Sequence, residues 1–450
     1  MAEKLRYSRE VPVKYDVDVL VVGGGPAGCA AAWAAGQVAG TGTGKSVLLI
    51  EGTGALGGMG TLGGVPAFMQ FGDGVNFLAG EFAGKLLRNL EAAKGIYPEK
   101  IPMDTGGSIA IRAEVLKRVY DQMLLEAGVK ISLCTQMIDV ICNGRKIEHV
   151  ICAAKSGLFG IRAKRFIDCS GDGDLCAWAG AAFEKGDDQG NLMPGTLCSL
   201  WADIDFKTIH ALGLNPREKI VEAIEAGGVF TLPDRHLPGM WQLGPGVGGG
   251  NISHAFGLDA TDEVSLTHHL IDSRKRLMEY ERFYKEYLKG YEKMWLVNTG
   301  ALMGVRETRR IVCDYMMTLD DFKSRVNFND EIGRYCYPVD IHSSSPDQNK
   351  YEESMKDFFT TYRYERGESY GIPYRSLIPK DLDNALVAGR CIGSDRYIQG
   401  SMRVMPGCFI TGQAAGRATR VSLKCNCDLR EVDTAEIFDV FHNHGNGLKP

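Results

Sequence analysis

The sequence predicts an α/β fold: a Rossmann-like nucleotide-binding unit into which a mixed α+β unit is inserted. Three observations carry this prediction. Residues 17–28, Val-Asp-Val-Leu-Val-Val-Gly-Gly-Gly-Pro-Ala-Gly, pass from an apolar strand directly into a glycine turn. A second apolar strand, Ser46-Val-Leu-Leu-Ile50, ends in Glu51. Far along the chain, Ala385-Leu-Val-Ala-Gly-Arg390 returns to the strand-then-glycine pattern.

The first element is the most specific. Gly23, Gly25 and Gly28 fit the G-x-G-x-x-G spacing, and the alanine-rich run Cys29 to Ala35 continues it as a helix. Gly23 permits the tight turn, Gly25 lets the backbone approach a pyrophosphate, and Gly28 lets helix and strand pack closely. Glu51 is placed to accept hydrogen bonds from a ribose, and the helix N-terminus offers free N–H groups to phosphates. The span from Gly28 to Glu51 is longer than usual because Gln37 to Gly44 adds a glycine- and threonine-rich loop. Within it, Gly42-Thr-Gly-Lys-Ser46 imitates a nucleotide-hydrolase phosphate loop. Ala39 occupies the place of the required first glycine, and the segment precedes a strand, so that reading is rejected.

Further along, residues 52–64 form a glycine loop, and 111–127 are expected to be helical. Val115, Leu116, Val119, Met123 and Leu124 supply an apolar stripe there. A strand is expected over 129–134. A hairpin-like excursion over 146–168 returns in Arg165-Phe-Ile-Asp168, and a short helix is expected over 175–182. Residues 190–370 are richer in aromatics, histidines and arginines, with the longest helix expected over 265–291. The domain reading is therefore 1–189 with 371–424 as one discontinuous nucleotide-binding unit, 190–370 as the insertion, and 425–450 as a tail. A small-residue helix around Gly412-Gln-Ala-Ala-Gly416 is expected to run to about Leu423. Gly244-Pro-Gly-Val-Gly-Gly249 repeats the glycine spacing without a preceding apolar strand, and reads as a loop.

Composition bounds the function. The chain has 450 residues, 44% hydrophobic and 24% charged, with a formal net charge of −5. That charge gives no general attraction to nucleic acid or anionic membrane. No apolar run reaches the ~20 residues of a membrane span, and the charged first residues lack the apolar stretch of a signal peptide. Thirteen scattered cysteines read as reduced thiols, so a cytoplasmic location is expected. Cys425 and Cys427 are a lone pair, whereas an iron–sulfur cluster needs four cysteine ligands; no metal site is expected.

Gly23 to Gly28, Glu51, Gly57-Gly-Met-Gly-Thr61, Phe166 to Asp174, and Ala388 through Gly416 together resemble FAD-dependent oxidoreductases with a glutathione-reductase-type FAD domain. More narrowly, the chain resembles a bacterial family related to the flavin-carrying component of heterodisulfide reductase. Gly304-Val-Arg-Glu-Thr-Arg-Arg310 and Gly400-Ser-Met-Arg-Val-Met-Pro406 are similar to that family's own signatures. The resemblance implies that Gly23, Gly25, Pro26, Ala27 and Gly28 hold the FAD pyrophosphate and Glu51 the adenosine ribose. Gly57, Gly58, Met59 and Thr61 would line the flavin or ribityl chain, and Arg112 would lie near the phosphates. Asp172, with Asp174, belongs to a loop returning beside the cofactor. Gly389, Arg390, Gly412, Gln413, Ala414 and Ala415 would form a second flavin-contacting strand and helix, the helix start facing the pyrimidine. Relatives often carry a histidine where this chain has Asp395-Arg-Tyr397.

Four residues are candidates for catalysis. Arg306 and Arg403 could clamp a substrate carboxylate. His254, after the second glycine run, and Tyr397 could exchange protons. Arg309 and Arg310 read as structural partners of neighbouring acids, and His268 and His269 cannot share one helix face. The expected activity is hydride exchange between non-covalent FAD and a small organic substrate, by carbon–carbon dehydrogenation or alkene reduction. The alternative is a flavin electron-transfer subunit of a larger redox complex. A small-molecule substrate, with a redox partner protein or a homo-oligomer as further possibilities, completes the expected partners.

Overall fold

The computed structural model describes residues 5–36, 46–102, 106–237 and 239–437. Gly42 to Lys45 of the phosphate-loop imitation and residues 438–450 of the tail lie outside them. Strand β1 (Val13–Val22) leads through the glycine turn into helix α1 (Pro26–Gly36), and β2 (Val47–Ile50) follows. Next come α2 (Gly80–Ala92), α3 (Ala113–Glu126) and β3 (Lys130–Ser132). The hairpin excursion is β4 (Gln136–Asn143), β5 (Lys146–Ala154) and β6 (Gly157–Asp168). A second region contributes β7 (Ser199–Ala202), β8 (Gly239–Gly244), β9 (Val247–Asn251), α4 (Glu263–Tyr287) and β10 (Trp295–Thr299). The chain then returns through β11 (Ala385–Val387) and α5 (Met405–Cys425).

The central sheet has the parallel order β3-β2-β1-β6-β11, and β5 and β4 extend it antiparallel from the first half of β6. Its parallel strands end in register: Val22 pairs with Ile50 and with Asp168, and Asp168 pairs with Val387. β1 sits between β2 and β6, so the chain leaves it toward one side and returns on the other. A ligand crevice opens at such a switch point.

α1 is buried all round, as a helix of alanines between two layers must be. It lies between the sheet and α5, and glycine makes the approach possible. A Cβ on Gly412 would fall 2.2 Å from the Ala27 carbonyl oxygen, and one on Gly416 would fall 2.2 Å from that of Ala31.

Two apolar cores divide the described residues. The second core gathers residues between Leu197 and Met303 around β7–β10 and α4. Residues from Ile311 onward, including Tyr335 and Tyr370, pack into the main core with α1 and α5. Aromatics of the stretch 311–370 thus share a core with the glycine-turn helix. α5 also begins earlier than expected, at Met405, with Pro406 in its first turn where a missing N–H costs nothing. The helix expected over 175–182 spans only Asp174–Trp178, and Phe183–Lys185 pairs with Arg309–Ile311 instead. The second glycine run is the tight β8–β9 hairpin. Among the described residues, no helix is long and apolar enough to cross a membrane.

Candidate active site

A groove of about 320 Å³ runs along the C-terminal ends of β1, β2, β6 and β11. The three glycines of its turn do three different things. Gly23 has φ +97°, and a Cβ there would lie 2.5 Å from the Cys169 carbonyl oxygen. A Cβ on Gly28 would lie 1.8 Å from the Gly23 carbonyl oxygen, so β1 and α1 could not pack with any side chain there. Gly25 has nothing within 4 Å of a Cβ: its freedom serves an approach from the open groove. Pro26 and Ala27 open α1 on the same groove.

Glu51 lies at the end of β2. Its carboxylate accepts from the Gly24 N–H (2.7 Å), the Thr53 N–H (2.8 Å) and the Thr53 hydroxyl (2.7 Å). A carboxylate has about four acceptor sites, so one remains for a ribose hydroxyl. Gly58 and Met59 line the groove from a short turn, which Gly57 ties to Gly24 through its N–H (2.7 Å). On the far wall Asp172 forms an ion pair with Arg390 and accepts from the Thr308 hydroxyl (2.7 Å). Burial, with Asp172 and Asp168 nearby, pushes the Asp174 carboxyl up to about 6 against the opposing pull of Arg309.

The groove opens into a second cavity, also of about 320 Å³, and the two share Met59, Val305, Arg390, Arg403 and Met405. Here Arg306 and Arg403 come together. Arg306 donates to the Pro194 carbonyl (2.7 Å), the Thr196 hydroxyl (2.9 Å) and Asn251 Oδ1 (3.3 Å). Burial, and next Arg403, push its guanidinium down to about 10, which leaves it charged at neutral pH. Arg403 donates to Asp340 Oδ2 (2.9 Å) and to the Asp340 carbonyl (3.0 Å). The Nε atoms of Arg390 and Arg403 are buried without a hydrogen-bond partner among the described residues. Buried donors of this kind need an acceptor, and both residues line the shared mouth, as a bound anionic group there requires. Phe358, Phe359 and Trp241 make the remaining walls apolar.

Several residues implied by the family resemblance lie elsewhere. Arg112 caps α3 and is consumed by Glu99 (2.9 Å) and by the Lys94 and Leu243 carbonyls, facing a separate cavity. Thr61 borders that same cavity and bonds to the Leu56 carbonyl (2.7 Å). Gly57 packs against Thr61 and Tyr120 behind the groove. Gly412, Gln413, Ala414 and Ala415 lie well inside α5 rather than at its start; Gln413 Oε1 accepts from the Phe82 N–H (2.8 Å). Small residues there serve the contact with α1, a packing signal that resembles a cofactor signal in sequence. The N-terminal residue of that helix, Met405, is the one that meets both cavities.

Of the proton candidates, Tyr397 is 42% exposed and stacks edge-on with Tyr362, away from both cavities. Asp395 caps the helix Arg396–Met402 through the Ile398 N–H. His254 is buried beside the cavity without lining it, and its Nε2 lies 2.9 Å from Nδ1 of His342, which does. His342, Asp340 and His236 do line it, and sequence reading missed all three. They sit in loops with no periodic or motif signal, and Asp340 and His342 are far in sequence from His254. Arg309 and Arg310 are structural: Arg309 pairs with Asp174 (2.7 Å), and Arg310 with the fully buried Glu307 (2.7 Å), which also holds Arg396 (3.0 Å).

A switch-point groove with glycine walls, joined to a cationic cavity, defines a dinucleotide-cofactor oxidoreductase site. The family described as "FAD dependent oxidoreductase" matches residues 18–440, and the chain belongs to it. The protein is an FAD-dependent oxidoreductase. No curated protein matches the chain. Among solved structures it is similar to p-nitrophenol 4-monooxygenase PnpA from Pseudomonas putida DLL-E4, at 12% identity over 96% of this chain and 85% of that one, with a TM-score of 0.48. A geranylgeranyl bacteriochlorophyll reductase-like protein from Thermoplasma acidophilum matches at 12% identity, 95% and 82% coverage and a TM-score of 0.45. The myxobacterial chondrochloren halogenase CndH matches at 13% identity, 96% and 79% coverage and a TM-score of 0.45.

Proposed function

We propose that the protein dehydrogenates, or reduces at a carbon–carbon double bond, a small organic acid bound between Arg306 and Arg403. The observation that carries this reading is the shared mouth of the two cavities: a cationic, apolar-walled chamber opening directly on the dinucleotide groove. FAD in that groove supplies hydride exchange at flavin N5. Gly23, Gly25, Pro26, Ala27 and Glu51 hold its adenosine diphosphate half, and Gly58, Met59, Gly389 and Arg390 its flavin half.

The chain's own residues do the rest. Arg306 and Arg403 fix the carboxylate and stabilise negative charge that develops beside it. Phe358, Phe359 and Trp241 exclude water, which strengthens those charge interactions. The cofactor is retained without a covalent bond. Cys408, at the groove wall, is pushed up to about 12 by burial, and burial likewise raises Cys169, so neither offers a thiolate.

The test is an anaerobic screen of the FAD-loaded protein against short saturated acids and, after chemical reduction, against the matching enoates. Bleaching by an acid or reoxidation by an enoate, lost in Arg306→Met, is the expected result. If no small acid changes the flavin absorbance while a co-purifying protein does, the reading gives way to an electron-transfer subunit of the heterodisulfide-reductase kind.

A further inference from the structure

Behind the substrate cavity three buried side chains, with the partly buried Asp340, form one line. His254 Nδ1 meets Asp234 Oδ1 at 3.3 Å. His254 Nε2 meets His342 Nδ1 at 2.9 Å, and His342 Nε2 meets Asp340 Oδ1 at 3.2 Å. His254 is 3% and His342 5% exposed, so water does not substitute for a missing contact. The two ends differ. Asp340 and His342 border the substrate cavity, whereas Asp234 and His254 border a small separate cavity with Ser343, Ser345 and Tyr351.

Counting protons along this line gives a definite result. Each of the three contacts joins two atoms with lone pairs, so each needs one proton to be attractive. Two neutral imidazoles carry one N–H each, and ionised carboxylates carry none. One contact would then be a buried pair of opposed lone pairs, which costs more than a lost hydrogen bond. We propose that Asp234, His254, His342 and Asp340 hold one proton beyond those of two neutral imidazoles, and that this line is the proton relay of the substrate cavity.

The surrounding charges place the extra proton. Against the desolvation that opposes them, Arg403 and the hydrogen bond from His342 hold the Asp340 carboxyl well below the usual carboxylate range. Burial, and next Arg306, keep His342 neutral. His236 packs against both rings, 4.8 Å from His254 and 4.5 Å from His342 between centroids, and burial keeps it neutral too. Tyr337 donates to the other oxygen of Asp340 (3.4 Å). Asp340 already has donors in Arg403 and Tyr337, whereas Asp234 Oδ2 is buried with no hydrogen-bond partner among the described residues, so the third proton belongs to the Asp234–His254 end. In that state His254 Nε2–H points at His342 Nδ1, and His342 Nε2–H points at Asp340.

Both protons can then move one step toward the cavity. The His342 Nε2 proton passes to Asp340 and the His254 Nε2 proton passes to His342 Nδ1, while His254 keeps its Nδ1–H toward Asp234. A carboxylic acid results at the cavity wall. In the reduction direction, FAD held in the groove would supply the hydride for one carbon of the double bond, and Asp340 supplies the proton for the other. Two C–H bonds form, the π bond is consumed, and the line recovers its proton when Asp340 takes one up from the cavity and both protons shift back toward His254. Oxidation runs the same steps backward. The catalytic role rests on the proposed function above; the proton count does not.

The arrangement also brings three imidazole nitrogens within 4.8 Å of one another, a geometry that a metal ion could use. Arg306 bears on both His342 and His236, and Arg403 lies next along the line, which opposes a second multiple charge there. The experiment separates the two. In FAD-loaded protein labelled with ¹⁵N-histidine, His254 should show both nitrogens protonated at neutral pH, with a proton shared across N–H···N to His342. His342→Gln should abolish the shared signal. Two singly protonated, uncoupled rings overturn the proposal, and so does stoichiometric uptake of Zn²⁺ added alone with loss of that signal. On activity, Asp234→Asn should lower turnover about 100-fold and displace its pH profile, with flavin absorbance unchanged. Normal turnover in that variant overturns the relay alone. Absence of any small-acid turnover beside an intact shared proton defeats the functional reading and leaves the proton count standing.

Discussion

The dinucleotide groove and the substrate cavity adjoin, yet they are built in opposite ways. The floor of the groove is made of main chain: glycine turns and strand ends brought together by parallel pairing, with side chains such as Asp172 and Arg390 on its far wall. The cavity is made of side chains from distant segments, with Asn251, Arg306, Asp340, His342 and Arg403 converging from loops and helix ends. A backbone site depends on where a Cβ can exist. A side-chain site depends on which charges are left buried beside one another. Substitutions in the two regions should therefore fail in different ways.

The largest effect is expected where the groove's backbone is closed to any side chain. Gly28→Ala sets a Cβ 1.8 Å from a backbone oxygen that cannot yield, and should cost at least about 3 kcal/mol, a large share of a typical domain's stability. Thermal denaturation should show a broad loss of stability, with FAD lost as a consequence. Gly25→Ala, three residues earlier, has open space at its Cβ. It should melt within a degree or two of the parent while binding FAD roughly 10–100-fold more weakly, about 1.4–2.7 kcal/mol. Equal melting and equal FAD affinity in Gly25→Ala would break the distinction between a packing glycine and an approach glycine.

In the cavity the corresponding substitution spares the fold of the groove. Arg306→Met should leave the FAD dissociation constant unchanged and lower kcat/KM for the acid substrate about 10³-fold, close to 4 kcal/mol of lost charge stabilisation. Steady-state kinetics beside a flavin titration checks it. Loss of FAD binding in this variant would mean that the two regions are not separable.

Asp174 sharpens the comparison from the groove side, because here a side chain does matter. Its folded pKa, about 6, stands above the ordinary 3.8. The folded state thus binds the proton more tightly, and the stability so gained is complete below pH ~4 and lost as pH rises through about 6. Two pKa units correspond to at most about 3 kcal/mol. The melting temperature of Asp174→Asn minus that of the parent, measured without FAD, should rise between pH 4 and 6 and then level off. A flat difference would remove Asp174 from the account.

The same contrast explains what could be read in the sequence. β1, the glycine turn, α1, β2, Glu51 and β11 were legible because strand periodicity and glycine spacing are local signals. Gly23, Gly25 and Gly28 take in three dimensions the stances their spacing announced. Gly412 and its neighbours misled because a helix contact and a cofactor contact both select small residues. The packing of the stretch 311–370 was not legible, because its aromatics, such as Tyr335 and Tyr370, fill the main core from outside any α/β repeat. Asp340, His342 and His236 were silent, since a buried charge line exists only after folding has brought its members together.

The smallest effects test the residues that the geometry removes from the site. Arg112 spends its guanidinium on Glu99 and two carbonyls, facing a different cavity. Arg112→Met should cost about 1 kcal/mol of stability through the lost partly exposed pair and leave FAD affinity alone. Tyr397→Phe removes a hydroxyl from a ring that is 42% exposed, and should move neither stability by more than about 0.5 kcal/mol nor kcat at all. A tenfold fall in kcat for Tyr397→Phe would mean that the surface around Tyr362 and Tyr397 closes over the cavity during turnover. The cavity would then be a site completed by motion, while the groove, fixed by backbone sterics, would stay as it is.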